Sequence, residues 1–84
     1  MPIIYCTINI FDYEQEVFSG DGKRIGRAPL KDLPKFIVEH CKESNVHKVC
    51  LNGLSAYTKE VRDKINTYNK TKYEDFEIEV EVNE

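Results

Sequence analysis

The chain has no tryptophan, one methionine, four glycines and three prolines in 84 residues. So little glycine and proline excludes a collagen-like or low-complexity chain. No apolar run approaches the ~20 residues of a membrane-spanning helix, so no membrane association is expected. The start Met1-Pro2-Ile3-Ile4-Tyr5 has no basic segment, so no signal peptide is expected either. The three cysteines are odd in number, widely spaced and without a CxxC, which fits reduced thiols in a cytoplasmic protein rather than a disulfide framework. Neither sign of charge dominates: 12 basic against 15 acidic residues leave −3, too mild to imply or exclude a nucleic-acid partner. What is present is 40% apolar residues in one uninterrupted pattern, with no repeat or linker, and hence a single domain over residues 1–84.

The pattern resolves into short elements. Ile4, Cys6, Ile8 and Ile10 alternate with Tyr5, Thr7, Asn9 and Phe11, the signature of a first strand. Asp12-Tyr13-Glu14 reads as a turn, Gln15 to Ser19 as a weaker second strand, and Gly20-Asp21-Gly22 as a hairpin turn. Lys23–Ala28 fits either a loop or a short edge strand. Asp32 is placed to cap a first helix with Pro34 in its first turn, where a missing N–H costs nothing. Leu33, Ile37, His40 and Cys41 form the expected inner face of that helix, and Ser44-Asn45 its end. Val46 to Leu51 is an apolar run of strand length. Asn52-Gly53-Leu54 then turns the chain, and Ser55 is placed to cap a second helix with a Tyr57, Val61, Ile65, Tyr68 stripe. Phe76, Ile78, Val80 and Val82 alternate with Glu77, Glu79, Glu81 and Asn83 in a last strand with one apolar and one acidic face.

A parity argument bears on residues 23–28. The first strand's hairpin partner runs the opposite way. A helix that delivers the chain to a strand parallel to the first must start from the end where the first strand finishes. An ascending edge strand at Lys23–Ala28 carries the chain back economically. The expected fold is therefore α+β (α/β): a single mixed sheet of four to five strands with two helices, order β-β-β-α-β-α-β, and sheet order 3-2-1-4-5 with right-handed crossovers. If 23–28 is loop, a four-stranded α+β sandwich with the same core results.

This arrangement resembles the ribonuclease H-like topology. The resemblance implies a search for metal-binding carboxylates on the first strand, the first helix and the end of the fourth strand, where two hard cations take oxygen ligands. Here the first strand offers no acid until Asp12, the helix offers Glu39 or Glu43, and the fourth strand ends at the neutral Asn52. No enzymatic activity, metal or cofactor is expected. His40-Cys41 and His47-x-x-Cys50 hold the residue types of a zinc set. However, adjacent helical residues point about 100° apart, and neither Cys41 nor Cys50 sits at a helix N-terminus, where a thiol becomes nucleophilic.

Three surface features remain as binding candidates. Asp12, Asn52, Gly53 and Ser55 are expected to converge at the switch point between strands one and four, where a small anion or nucleotide phosphate can meet a helix N-terminus. The alternative is that Gly53 serves as a turn and Ser55 as a cap. Lys23, Arg24, Arg27 and Lys31 make a basic patch able to contact phosphate or an acidic partner. Glu77, Glu79 and Glu81 make an acidic strip that protects an edge strand or docks on a basic partner.

Residues with AT-rich codons (Phe, Tyr, Met, Ile, Asn, Lys) number 33 against 12 for Gly, Ala, Arg and Pro, which points to an AT-rich genome. The stretch from Lys48 to Glu79, with a strand, Gly53, an amphipathic helix and Lys72-Tyr73 before an acidic strand, resembles small phage proteins of low-GC bacteria. The resemblance implies an origin and no chemistry. Together these readings point to a small non-enzymatic protein of the cytoplasm (host cytoplasm if phage-encoded) that binds a macromolecular partner, most simply a protein. A phage-encoded modulator or inhibitor of a host system is one form of this. The alternative is a nucleic-acid or nucleotide-binding module with a ribonuclease H-like fold lacking the catalytic carboxylates. A homodimer through the last strand is a further expectation, opposed by its glutamates unless the partner is basic.

Overall fold

The structure, a computed structural model, describes residues 2–83. Met1 and Glu84 lie outside the described residues. Seven elements follow in the order β1 (Ile4–Thr7), β2 (Glu14–Ser19), β3 (Arg24–Pro29), α1 (Leu33–Ser44), β4 (Lys48–Asn52), α2 (Ser55–Lys72) and β5 (Glu79–Asn83). The strands make one mixed sheet in the order β3-β2-β1-β4-β5. β1–β2 and β2–β3 pair antiparallel, while β1–β4 and β4–β5 pair parallel. Residues 24–29 are thus a strand, and the expected α+β architecture with five strands and two helices is the one observed.

One face of the sheet is covered. Ile4, Cys6, Ile8, Val17, Ala28, Val49 and Leu51 pack with Leu33, Ile37, Val38 and Cys41 of α1 and Val61 and Ile65 of α2 in a single core. The alternate residues Tyr5, Thr7, Glu14, Glu16 and Arg27 are exposed on the other face. The molecule is therefore a two-layer sandwich with an open sheet face. Two crossovers of the same hand, both moving toward β5, require this, because each lays its helix on the same side.

Several elements depart from the sequence pattern, each for a local reason. β1 stops at Thr7 rather than running to Phe11. Ile8 is still buried and donates its N–H to Asn52 O at 2.8 Å, but the next backbone groups are taken by a side chain. Asn9 N donates to Gln15 Oε1 at 2.8 Å, and Gln15 Nε2 donates to Asn9 O at 2.9 Å. β5 begins at Glu79, not Phe76, because the Phe76 carbonyl accepts the Asn69 side-chain amide at 2.5 Å and β4 offers no residue opposite 76–78. Phe76 is nevertheless buried and stacks on His47 with ring centroids 4.5 Å apart.

The ends of α1 fall where the sequence places them, whereas the cap of α2 does not. Asp32 holds the cap position of α1, with Pro34 in the first turn, but its side chain makes no cap hydrogen bond. Asn45 closes α1 in the left-handed region at φ 55°, which asparagine tolerates. The cap residue of α2 is Leu54 rather than Ser55, with no side-chain cap bond. Thr58 and Asn69 are buried with Val61 and Ile65, whereas Tyr57 and Tyr68 are half-buried at the margin. Thr58 can be buried because its hydroxyl donates to Leu54 O at 3.3 Å. On α1, Pro34 and Val38 join the expected Leu33, Ile37 and Cys41, and His40 is only half-buried.

Candidate functional site

β1 and β4 are adjacent and parallel, so the segments that leave their carboxyl ends lie side by side. Gly53 sits so close to the first of these segments that a Cβ there would stand 2.7 Å from Ile8 O. The 8–13 segment is held from within. Besides the two bonds to Asn9, the buried Gln15 amide donates to Asp12 O at 3.0 Å, Asp12 N donates to Asn9 O at 3.0 Å, and Phe11 N donates to Asn9 Oδ1 at 3.0 Å. A chain tied at this many points has little freedom left to lose. It nevertheless projects its apolar side chains into solvent: Phe11 is 90% exposed, Tyr13 80% and Ile10 43%, with Leu54 of the neighbouring segment at 67%.

Beside this apolar crown, on the open sheet face, lies a cleft of about 520 Å³ lined by Thr7, Asn9, Asp12, Tyr13, Phe18 and Arg27 among others. Tyr5 and Phe18 are register partners across β1 and β2. On either side of them, neighbouring strands carry opposite charges. Arg24 pairs with Glu16 at 3.1 Å and Arg27 with Glu14 at 3.6 Å. Lys48 lies 4.0 Å from Glu79 and 3.8 Å from Glu81.

The four residues expected at the switch point are only partly brought together. Asp12 lines the cleft. Asn52, Gly53 and Ser55 do not line it, and their groups serve the fold: Asn52 O accepts from Ile8, and Gly53, at φ 136°, donates its N–H to Asn83 O at 3.1 Å. Ser55 is the half-buried first residue of α2. In the basic patch, Arg24 and Arg27 lie on β3 and face acids of β2, while Lys23 and Lys31 lie in the turns flanking β3. In the acidic strip, Glu79 and Glu81 lie on β5. Glu77 precedes it and contributes its carbonyl, 2.7 Å from His47 Nδ1, to a contact with the start of β4.

Among the described residues, no group of three or more His, Cys, Asp or Glu side chains stands close enough to hold a metal ion. Cys41 is in the core and Cys50 on the opposite side of the sheet, so the two cysteines cannot share a ligand. Burial pushes the Cys6 and Cys41 thiols up to about 12. The Cys50 thiol is also raised, by burial first and then by Glu81, to which it donates at 3.5 Å. A separate polar cluster ties α1 to the end of α2. Glu39 accepts from Lys72 Nζ at 2.6 Å, Tyr68 OH at 2.7 Å and Tyr73 OH at 2.5 Å. Those bonds, the one from Lys72 first, lower Glu39 to about 2.

Sequence reasoning missed the crown. Phe11 and Ile10 continue the alternation of β1, and the pattern alone places them in that strand. The signal that could have exposed them was Gln15, an amide inside a β-forming run and able to capture a neighbouring backbone. The chain matches no protein-family model, no curated protein and no solved structure. No helix among the described residues is long and apolar enough to cross a membrane.

Proposed function

We propose that the chain is a small non-enzymatic binding module whose partner is another protein, engaged through the crown of Ile10, Phe11, Tyr13 and Leu54. The observation that carries this reading is that Phe11 and Tyr13 are 90% and 80% exposed on a segment whose backbone is held by a buried amide. Burying a large apolar side chain is worth roughly 1.5–3 kcal/mol. A segment already ordered loses little conformational entropy on docking, so most of that gain survives as affinity. Aromatic anchors of this kind dominate protein–protein interfaces. The three buried free thiols support a reducing compartment, the cytoplasm. Small size and AT-rich coding fit a phage-encoded modulator or inhibitor of a host system.

A nucleic-acid or nucleotide-binding module is the second reading, favoured by the Tyr5–Phe18 pair on an open sheet face with Arg24 and Arg27 nearby. It ranks below the first because Glu14 and Glu16 already face those arginines, and Glu79 and Glu81 would repel a phosphate backbone on the same face.

A photoreactive phenylalanine analogue placed at Phe11, with a control placed at the exposed Lys59 of α2, tests both readings in the producing cells. A discrete adduct from position 11 that is absent from position 59 and resists nuclease is the expected result. Adducts from both positions alike, or none from position 11, overturn the crown as the binding surface. An adduct that nuclease shortens, with binding that weakens steeply in salt, favours the second reading.

A further inference from the structure

β3 and β5 are the two edges of the sheet, and the pairing pattern makes them run in the same direction, both parallel to β1. They carry opposite charge on the same face. On the open face β3 presents Arg24 and Arg27, with side chains 55% and 58% exposed, and β5 presents Glu79 and Glu81, at 75% and 51%. On the helix face each edge ends in apolar residues that the core only half covers: Ile25 on β3, and Val80 and Val82 on β5.

We propose that copies of this chain associate head to tail, β5 of one copy adding in parallel to β3 of the next, so that the acidic edge meets the basic edge. A neighbour carried along the sheet by translation keeps its helices in the same layer and covers Ile25, Val80 and Val82 at the junction. It also continues the alternation of charge already present. Across the joint the open face reads Lys48, then Glu79 and Glu81, then Arg24 and Arg27, then Glu16 and Glu14, with the sign changing at every strand. The two symmetric pairings lack this property. β5 against β5 sets Glu79 and Glu81 against themselves, β3 against β3 does the same with Arg24 and Arg27, and like charges opposite one another destabilise a strand pair. A head-to-tail contact does not close on itself as a dimer, so it grows into rings or short filaments. One edge pair buries less than a standard interface, so association is weak, concentration-dependent and salt-sensitive.

Sedimentation equilibrium of the full chain from micromolar to millimolar concentration, at about 20 mM and about 500 mM salt, tests this. The expected result is a weight-average mass that climbs past the dimer at low salt and returns toward the monomer at high salt. The neutral pairs Glu79→Gln/Glu81→Gln and Arg24→Gln/Arg27→Gln should each weaken association about fivefold or more. The charge-reversed pairs Glu79→Lys/Glu81→Lys and Arg24→Glu/Arg27→Glu should each be monomeric alone and associate when mixed, provided circular dichroism shows both folded. If either fails to fold, the neutral pairs decide. Phe11→Ser should leave the mass unchanged, which separates this contact from the crown. A monomer at every low-salt concentration, a species that stops at the dimer, or association that neutralising the glutamates leaves intact overturns the proposal.

Discussion

Gln15 and Asn9 hold each other by two opposed hydrogen bonds, Asn9 N to Gln15 Oε1 at 2.8 Å and Gln15 Nε2 to Asn9 O at 2.9 Å. The side-chain amide thus stands in for a strand that is not there. It satisfies the backbone at the point where β1 leaves the sheet, so the chain can turn outward with Ile10 and Phe11 instead of continuing along β4. Gln15 is only 2% exposed, and a buried amide is retained at low cost only when its groups are paired.

Gln15→Ala should therefore destabilise the protein by roughly 1–3 kcal/mol, because it removes three part-buried hydrogen bonds to the backbone of Asn9 and Asp12. It should also release the crown. Urea unfolding measures the first effect and amide exchange at Asn9 and Asp12 the second. An Asn9 amide that stays protected in the variant would show that the loop is held by something other than this ring.

Gly53 and Gly22 both have positive φ, at 136° and 87°, yet only Gly53 is hemmed in, with Ile8 O 2.7 Å from where a Cβ would stand. Gly22 faces open space. Gly22→Ala should cost only the left-handed backbone penalty, roughly 1–2 kcal/mol. Gly53→Ala should cost more, since backbone rather than a movable side chain blocks it. Thermal midpoints of the two variants order them directly, and equal midpoints would mean that the β1–β4 ends part easily.

Much of this fold is legible in the sequence because its alternation and turns agree with one another. The Gly20-Asp21-Gly22 turn, the α1 face of Leu33, Ile37 and Cys41, and the need for an ascending strand at residues 23–28 together lead to the observed sheet order. What the sequence hides are polar side chains that act as backbone. Gln15 ends β1 early, Asn69 takes the Phe76 carbonyl and delays β5, and Thr58 turns its hydroxyl onto its own helix so that it can be buried. Periodicity scores these residues as polar and therefore outward. The candidate site suffers most, because the exposure of Phe11 follows from a side-chain bond between Asn9 and Gln15, which are six residues apart, rather than from its own place in the alternation.

Glu39 joins the helices through Lys72, Tyr73 and Tyr68, whose hydrogen bonds lower it from an ordinary value near 4.5 to about 2. A carboxylate lowered on folding contributes stability that is fully present above its unfolded value and disappears as pH falls through the folded one. Glu39→Gln should thus flatten the stability profile between about pH 4.5 and pH 2, with the native chain losing its advantage over the variant across that window. The side chain is 33% exposed, so the advantage at neutral pH is small. Urea midpoints taken at intervals through the window test this, and parallel profiles for the two proteins would remove the cluster from the acid limb.

Cys50 differs from the other two thiols in where it lies, although all three are buried. Cys6 and Cys41 belong to the core under the helices. Cys50 lies outside that core, on the open face, 5% exposed and bonded to Glu81 and Asn83. An aromatic disulfide reagent at about pH 8 should label Cys50 alone in the native protein, and all three cysteines only after unfolding. Burial first, and Glu81 after it, keep the Cys50 thiol protonated. Glu81→Gln removes the second cause and should speed that single labelling several-fold without exposing the others. Unchanged labelling in Glu81→Gln would leave burial as the sole control of Cys50. Labelling of Cys6 or Cys41 at a comparable rate would mean that the helix layer opens on the timescale of the reaction.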